Sequence, residues 1–359
     1  MSPDSICIVG AGLAGACAAF VLSERAEVTV LEAEHPAAGA SSAAAGLVNP
    51  LMGRRASAVW RLPDALAPVP QLLNDAGAGH LFRGDGVLRP TTEPKQVEFF
   101  QEAVAAQPNV ATWLSKAEVH ERFPDVQTVD GAMWIPDGGA VDVPAMVEAL
   151  LETAQARGAT VEPGTAAAAW GEDGPSAFVD IRRNDGRERR SFDAVLLCLG
   201  QGYPGHPSLE GLGLRGIRGQ TVRVQRPSIS SLGPLPPMSG RGYVVPEPDG
   251  TLICGSSYSN DFDDLTPDPE QTAYILEKTS TMLPGIDQME PIEVTVGVRV
   301  KTESTNLPIV GPMPGQDRVW VFTALGSKGL LTAPMLAMEL PGYLGAPDSI
   351  PAAVEVPTR

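Results

Sequence analysis

The N-terminal part of the chain places a glycine-rich turn directly after a short apolar segment. Residues 6–9 read Ile-Cys-Ile-Val, a run that is too short for a helix, rich in β-branched side chains and typical of a buried parallel strand. Gly10, Gly12 and Gly15 follow in G-x-G-x-x-G spacing. In such a turn the first glycine permits the tight bend, the second lets the backbone approach a pyrophosphate, and the third lets a helix pack closely on the strand.

The residues after this turn predict the rest of a strand–helix–strand unit. Residues 11–25 are mostly Ala, Leu and Val without proline, which predicts a helix whose N-terminus offers N–H groups to phosphates. Residues 28–31 predict a second strand, and Glu32 stands at its end, 22 residues after Gly10. A carboxylate there can accept hydrogen bonds from both hydroxyls of an adenosine ribose, and it argues against the 2′-phosphate of NADP. In this context the motif predicts a bound FAD or NAD rather than a βαβ unit without a ligand.

Two further segments add to the predicted nucleotide site. Residues 39–46 have only small side chains, which let a backbone lie against a flat ligand, and Ser41 and Ser42 can hydrogen-bond phosphate. A flexible low-complexity linker is the alternative interpretation. Residues 318–323 predict a strand, and residues 324–334 predict a second glycine-rich turn that opens a helix through about residue 340. The N-terminus of that helix can place positive potential at a second polar part of a cofactor.

The charge balance and the cysteines disfavour several other classes of function. The 26 Lys and Arg residues against 43 Asp and Glu give a net charge of −17, which makes nucleic-acid binding an unfavourable interpretation because phosphate binding rests on cations. Cys7, Cys17, Cys198 and Cys254 lack metal-ligand spacing, so we expect buried apolar residues in a reducing cytosol and no metal site. The motif begins almost at Met1, which leaves no room for a signal peptide, and no apolar stretch reaches membrane-spanning length. A cytoplasmic protein without a membrane partner is therefore expected.

The length of 359 residues suggests two domains. An apolar segment over residues 193–200 predicts another strand that ends at the cofactor. Antiparallel strands are predicted over residues 220–225, 242–246, 251–255 and 293–299, with a helix over 268–282. The predicted fold class is α/β, with a Rossmann-like nucleotide-binding domain and an inserted α+β substrate domain on an antiparallel sheet. The predicted ranges are 1–50, 140–205 and 300–359 for the first domain, and 51–139 and 206–299 for the second.

Seven segments distributed over nearly the whole chain form one larger pattern. They are residues 8–15 (Ile-Val-Gly-Ala-Gly-Leu-Ala-Gly), 40–46 (Ala-Ser-Ser-Ala-Ala-Ala-Gly), 138–144 (Gly-Gly-Ala-Val-Asp-Val-Pro), 218–220 (Arg-Gly-Gln), 242–246 (Gly-Tyr-Val-Val-Pro), 297–299 (Gly-Val-Arg) with 307–311 (Leu-Pro-Ile-Val-Gly), and 324–330 (Ala-Leu-Gly-Ser-Lys-Gly-Leu). Together they resemble the D-amino-acid oxidase family of flavoproteins, which contains glycine oxidase and sarcosine oxidase. The segment 40–46 looks most like glycine oxidase. The segment 297–330 looks most like the oxidase domain of the bifunctional enzyme that trims carboxymethylaminomethyl-uridine in tRNA.

The resemblance implies FAD and a small amino-carboxylate substrate whose C–N bond is oxidised by hydride transfer to flavin N5, followed by imine hydrolysis. Oxygen is one candidate for the acceptor that reoxidises the flavin. Members with covalent flavin carry a Cys after the Gly-x-Arg motif or a His in the small-residue loop, whereas this chain has Val300 and Ala43 there. The FAD is therefore predicted to be non-covalent.

The resemblance also implies which side chains contact the substrate. Arg299 matches the arginine that grips the substrate carboxylate, for which a guanidinium offers a planar, bidentate fork. Tyr243 matches a tyrosine that lines the substrate, and Arg241, two residues earlier on the same strand face, could also reach the pocket. Lys328 could lie near the flavin N1–C2 carbonyl edge and stabilise reduced flavin. The alternatives are a structural salt bridge for Arg299, a buried core tyrosine and a solvent-facing lysine.

The motifs and the resemblance together imply a set of cofactor contacts. These are Gly10, Ala11, Gly12, Leu13, Ala14, Gly15, Glu32, Ala33, Ser41, Ser42, Ala45, Gly46, Leu47, Ala167, Leu199, Gly200, Arg299, Gly326, Ser327, Lys328, Gly329 and Leu330.

The leading functional prediction is FAD-dependent oxidation of a small amino acid or N-substituted glycine. The first alternative keeps the flavin and changes the substrate to a modified tRNA wobble uridine, from which the carboxymethyl group is removed, or to a specialised amine metabolite. A further alternative is a non-catalytic FAD-binding or assembly protein. The sequence leaves the oligomeric state open.

Overall fold

The computed structural model describes residues 3–183, 186–203, 206–227 and 235–357. In these ranges the α-helices are α1 (Leu13–Leu22), α2 (Leu62–Ala65), α3 (Pro68–Asp75), α4 (Pro94–Ala106), α5 (Lys116–Arg122), α6 (Val143–Ala156), α7 (Pro269–Ser280) and α8 (Gly329–Gly345). The strands are β1 (Ser5–Val9), β2 (Glu27–Leu31), β3 (Leu47–Val48), β4 (Leu51–Met52), β5 (Ser57–Ala58), β6 (Phe82–Arg83), β7 (Val87–Pro90), β8 (Thr112–Leu114), β9 (Ala132–Ile135), β10 (Gly139–Val141), β11 (Thr160–Glu162), β12 (Ala167–Asp173), β13 (Ser176–Arg183), β14 (Gly186–Phe192), β15 (Ala194–Leu197), β16 (Leu214–Gln225), β17 (Met238–Ser239), β18 (Tyr243–Pro246), β19 (Thr251–Gly255), β20 (Pro291–Thr302), β21 (Ile309–Pro312) and β22 (Val319–Thr323).

A six-stranded sheet in the order β11-β2-β1-β15-β22-β21 organises the nucleotide-binding part of the fold. Its strands pair in parallel except for the edge strand β21, which is antiparallel to β22. The short apolar strands suit this place because parallel sheets are buried on both faces. The carboxyl ends of β1, β2, β15 and β22 consequently lie at one edge, where sheets of this kind bind their ligands.

The first predicted strand–helix–strand unit is confirmed, with a shorter helix. α1 begins after Gly12, whose extended backbone makes it the N-cap, and ends at Leu22 rather than at residue 25 because residues 23–25 form a turn. The helix is buried almost all round, since it packs against β1 as well as against α6 and α8. The strand predicted over residues 193–200 is also shorter, because regular pairing stops at Leu197.

An eight-stranded sheet in the order β20-β16-β19-β18-β17-β7-β9-β8 forms the second large layer. All its pairings are antiparallel except the short contact between β17 and β7. The four predicted strands are confirmed as β16, β18, β19 and β20, and the predicted helix as α7. One face of this sheet packs under α7, where Val222, Val244 and Cys254 meet Ile275.

The other face of the eight-stranded sheet turns toward the small-residue segment near the N-terminus. Tyr243, Val245 and Ile253 pack there against Ala45 and Ala140. The fold therefore brings two distant parts of the chain together, and the space between the sheets is where a site can form.

The mixed α/β class that the sequence predicts is confirmed. The division into two domains stays a prediction, and the packing bears on its boundaries. α2 and α3, which lie within the range predicted for the substrate domain, contact α8, and their apolar residues share a core with β1 and α1. None of the helices in the described ranges has the length and apolar character that crossing a membrane requires.

Candidate active site

The glycine-rich turn between β1 and α1 has the shape that a bound pyrophosphate requires. Gly10 has a φ of 106°, and a Cβ built on it would lie 2.4 Å from the Cys198 carbonyl oxygen. A Cβ on Gly15 would lie 1.9 Å from the carbonyl oxygen of Gly10, so only glycine lets α1 approach β1 this closely. These two positions fulfil the roles that the spacing predicts for the first and third glycines.

Polar groups gather at the open side of this turn. The Glu32 carboxylate accepts hydrogen bonds from the backbone N–H of Ala11 (2.7 Å) and from that of Glu34 (3.0 Å). Each of its oxygens keeps a further lone pair for a ligand hydroxyl. Ser41 accepts a hydrogen bond from the Leu13 N–H (3.0 Å) and so lies at the N-terminus of α1, whereas the exposed Ser42 hydroxyl donates to the Gly39 carbonyl of its own loop.

The second glycine-rich turn meets the first. Gly326 has a φ of 54°, and its N–H donates to the Val300 carbonyl (2.9 Å), which ties the turn to the end of β20. A Cβ on Gly329 would lie 3.4 Å from Leu13 Cδ2, so the N-termini of α8 and α1 lie side by side. Two helix N-termini at one place provide a favourable site for anionic groups.

The small-residue segment fills the space between the two large sheets. A Cβ on Gly297 would lie 2.8 Å from Ala43 Cβ, and a Cβ on Gly46 would lie 1.7 Å from the Val141 carbonyl oxygen. Small side chains are thus required where this segment lies against β20 and β10. The interpretation of the segment as a flexible linker is therefore disfavoured.

The other predicted cofactor residues lie around the same sheet edge. Leu199 and Gly200 follow the carboxyl end of β15, and Ala167 packs in the apolar cluster that includes Leu199. Ser327 is exposed, while Lys328 is partly exposed and is the N-cap of α8, without a capping hydrogen bond from its side chain. Ala33 lies exposed beside Glu32, while Ala14 is buried in α1, and Ala45, Leu47 and Leu330 take part in apolar packing.

The strand register brings the predicted substrate residues onto one face of the eight-stranded sheet. Gly219 pairs with Gly297, and Thr221 pairs with Gly255, which in turn pairs with Tyr243. Since Gly297 meets the small-residue segment, this row of residues faces the cofactor side. Arg299 lies two residues beyond Gly297 and therefore points to the same side.

Arg299 is partly exposed, but its Nη1 atom is buried and has no hydrogen-bond partner among the described residues. The guanidinium lies against the Gly219 backbone, where a Cβ would approach Nη1 and Nη2 to 2.6 Å. The Tyr258 ring also lies against it, with its centroid 4.7 Å from Cζ. No carboxylate of the described residues forms an ion pair with it, so the predicted alternative of a structural salt bridge is disfavoured. A guanidinium with a buried, unsatisfied donor is a favourable place for an anionic ligand.

Tyr243 lies beside this guanidinium. Its ring covers Gly255, where a Cβ would lie 2.3 Å from the phenol oxygen. Burial raises the pKa of Tyr243 to about 12, although the positive charge of Arg299 partly opposes this. The phenol is therefore protonated at neutral pH and can donate a hydrogen bond. Arg241 lies apart from this pair, since its side chain is half exposed and approaches Glu93 at 4.0 Å.

Three side chains near the site belong to none of the sequence motifs. Tyr258 and the buried Ser256 belong to the loop between β19 and α7, and the Ser256 side chain lies near the Tyr243 phenol. Lys278 on α7 is only 5% exposed. A signal for Lys278 does exist, because Ile275, Lys278, Thr279 and Met282 follow helical spacing and put a lysine on the apolar face.

The residues present fit an FAD. The two glycine turns leave backbone room that any Cβ would fill, Glu32 can take the ribose, and the space between the sheets is lined by small and apolar residues. No group of three or more potential metal ligands is found within the described residues. The four cysteines are buried and unpaired.

Comparison with known proteins supports this assignment. Residues 5–340 match the family described as DAO, FAD dependent oxidoreductase. The crystal structure of glycine oxidase from Geobacillus kaustophilus covers 99% of both chains with a TM-score of 0.84 and 23% sequence identity. At that identity the likeness establishes the fold.

Two proteins related by sequence differ in how much of their own length this chain covers. The uncharacterized oxidoreductase YurR of Bacillus subtilis (strain 168) is 26% identical over 94% of this chain and 93% of its own length. The tRNA 5-methylaminomethyl-2-thiouridine biosynthesis bifunctional protein MnmC of Idiomarina loihiensis is 29% identical over 92% of this chain. The chain spans only 54% of that bifunctional protein.

Proposed function

We propose, from the premise that this chain belongs to the DAO family of FAD dependent oxidoreductases, that it oxidises the C–N bond of a small amino acid or N-substituted glycine. The observation that carries this proposal is the buried Nη1 atom of Arg299, which lies near Tyr243 and has no hydrogen-bond partner among the described residues. A carboxylate would satisfy the free donor and neutralise the charge. The adjacent phenol can donate a second hydrogen bond.

Bound FAD supplies the chemistry of the reaction, because its flavin ring accepts the hydride that leaves the substrate α-carbon. The side chains of this chain position the substrate. Arg299, which contacts Gly219 and Tyr258, holds the carboxylate in a fixed plane, and Tyr243 orients it. Fixed geometry of this kind provides a large part of the rate in a reaction that uses no side-chain base.

The sequence match to the tRNA-modifying protein favours a second candidate function. In that reading the amine belongs to a carboxymethylaminomethyl group on a tRNA wobble uridine, and Arg299 binds the same kind of carboxylate. The net charge of −17 opposes a tRNA surface, because backbone phosphates require cations.

Anaerobic flavin spectra test the proposal. We expect the purified holoenzyme to be yellow and to lose its visible absorbance with glycine, sarcosine or one of a panel of D- and L-amino acids. Admission of air then shows whether oxygen is the acceptor. A yellow protein that no small amine bleaches would contradict the proposal. Removal of the carboxymethyl group from hypomodified tRNA by the same preparation would establish the second candidate.

A further inference from the structure

Lys278 is a buried lysine at the site that the proposed reaction leaves without a role. Its side chain is 5% exposed, and Nζ donates a hydrogen bond to the Ser256 carbonyl. Nζ also lies 4.7 Å from the centroid of the Tyr274 ring. Among the described residues no carboxylate forms an ion pair with it. A buried ammonium group without an anion is costly, so its place needs an explanation.

The lysine lies directly behind the peptides that carry the substrate residues. A Cβ on Gly242 would lie 2.9 Å from Lys278 Cε, and Gly242 precedes Tyr243. Ser256, whose carbonyl accepts the hydrogen bond, follows Gly255, on which the Tyr243 ring rests. Lys278 thus contacts the start of β18 and the end of β19 from the face of the sheet that α7 covers.

The charged groups that act on the pKa of Lys278 are cations. Burial, together with the positive charges of Arg299 and Arg241, lowers the pKa of Lys278 to about 8. The other titratable side chains near Lys278 or its contacts are the phenols of Tyr243, Tyr258 and Tyr274, the Cys254 thiol, and the Glu93 carboxylate, which approaches Arg241 at 4.0 Å. An anion bound at Arg299 would add a negative charge beside the cation that has no ion-pair partner among the described residues.

We propose that Lys278 is a positioning residue of the carboxylate site: it fixes the Ser256 peptide behind Tyr243 and adds its positive charge to that of Arg299 when a carboxylate binds. This inference rests on the proposed function, because it needs a carboxylate at Arg299. It adds to that function the prediction that the affinity for the substrate depends on the protonation of Lys278, a residue that does not contact the substrate.

The sign of the pH dependence follows from linkage. A bound carboxylate stabilises the ammonium form and raises the pKa of Lys278 above its value in the free enzyme. Between these two pKa values the free enzyme has neutral Lys278 and the complex has the charged form, so binding takes up a proton. Affinity for a carboxylate is therefore full below pH 8 and falls as the pH rises above it.

Acetate is a suitable probe because it stays ionised over the tested range and carries no amine. Its Kd is measured on the FAD-containing enzyme from the change in flavin absorbance between pH 6.5 and 9.5. For the wild type we expect Kd to rise about threefold to tenfold above pH 8, the size of effect that one charge has at a partly buried site. Lys278→Arg keeps its charge over this range and should bind acetate tightly without the rise. Lys278→Met should bind it weakly at every pH.

A wild-type Kd that does not change with pH would overturn the inference, as would a Lys278→Met enzyme with the wild-type pH dependence. Lys95→Met, at an exposed position on α4, is the control and should behave as the wild type. An FAD content and a circular dichroism spectrum equal to those of the wild type establish that a variant is folded. If Lys278→Met fails to fold, the comparison of the wild type with Lys278→Arg tests whether the charge of Lys278 sets the affinity for acetate. If Arg299→Ala binds acetate as well as the wild type does, the carboxylate site itself is wrong, and the proposed function fails separately.

Discussion

At the scale of single residues, Arg299 carries the prediction of a carboxylate site. Replacing it with alanine removes the guanidinium that contacts Gly219 and Tyr258 and leaves a substrate carboxylate without its charged partner. Loss of a charge-assisted hydrogen-bond pair costs on the order of 1.5–3 kcal/mol, so we expect KM for carboxylate substrates to rise about tenfold or more. Steady-state kinetics at several substrate concentrations measure this.

The matched control for Arg299→Ala is Arg215→Ala. Arg215 lies on the neighbouring strand β16 and is exposed, so its removal should leave KM unchanged. If both variants have the wild-type KM, Arg299 does not hold the carboxylate.

The sequence predicts some of the individual residues at the site but not others. Gly10, Gly15 and Glu32 were predictable because backbone sterics and ribose binding demand particular residue types at fixed spacing. Lys278 and Tyr258 were not, because a helix and a loop bring them to the site from separate parts of the chain. No local rule predicts a lysine or a tyrosine at these two positions. The one sequence signal for Lys278 is that a charged residue lies on an apolar helix face.

At the scale of elements, the loop over residues 256–268 is held on β16 by Arg218 and Gln220, two residues of the Arg-Gly-Gln segment. The buried Gln220 amide donates to the Asp268 carbonyl (3.0 Å) and to the Thr272 hydroxyl (2.7 Å), and its oxygen accepts from the Asp268 N–H (2.9 Å). Arg218 Nη2 donates to the Thr266 carbonyl. These contacts fix the loop that places Tyr258 over Arg299.

Replacing Gln220 with alanine should loosen this loop. The variant removes the acceptor of the partly buried Asp268 N–H and the two hydrogen bonds that the Gln220 amide donates, at a cost of about 1–3 kcal/mol. We expect faster amide hydrogen exchange over residues 257–268 and a higher KM for carboxylates, with unchanged exchange in β1 and α1. Gln225→Ala, at the exposed end of the same strand, should change neither quantity. Wild-type exchange in the Gln220→Ala loop would show that other contacts hold it.

At the scale of elements the sequence predicts the existence of strands and helices better than their boundaries. The antiparallel strands and the helix over 268–282 are predicted from the sequence. The structure shows that Asp268 is the N-cap of α7, since its carboxylate accepts hydrogen bonds from the N–H groups of Glu270 and Gln271. Strands β16 and β20 extend further than predicted because they pair with each other along their whole length. That pairing is a tertiary effect, and local propensity does not contain it.

At the scale of the whole molecule, the cofactor is expected to hold the two large sheets together without a covalent bond. Val300 and Ala43 are buried apolar residues and offer no nucleophile to the flavin. Trichloroacetic acid should therefore precipitate a colourless protein and leave all the FAD in the supernatant. A yellow precipitate would contradict this and would direct the search to another attachment residue.

A non-covalent FAD must also stabilise the fold by mass action. A ligand that binds only the native state adds about 2.7 kcal/mol at a free concentration of 100 times its Kd. The melting temperature of the apoprotein should therefore rise with added FAD. Riboflavin should have a much smaller effect, because it lacks the pyrophosphate and the adenosine, which we propose bind at the glycine turn and at Glu32. Gly15→Val is the matching variant, since its side chain would collide with the Gly10 carbonyl; it should lose the response to FAD. An equal effect of riboflavin and FAD would place the binding energy on the flavin ring and refute the assignment of the N-terminal turn to the pyrophosphate.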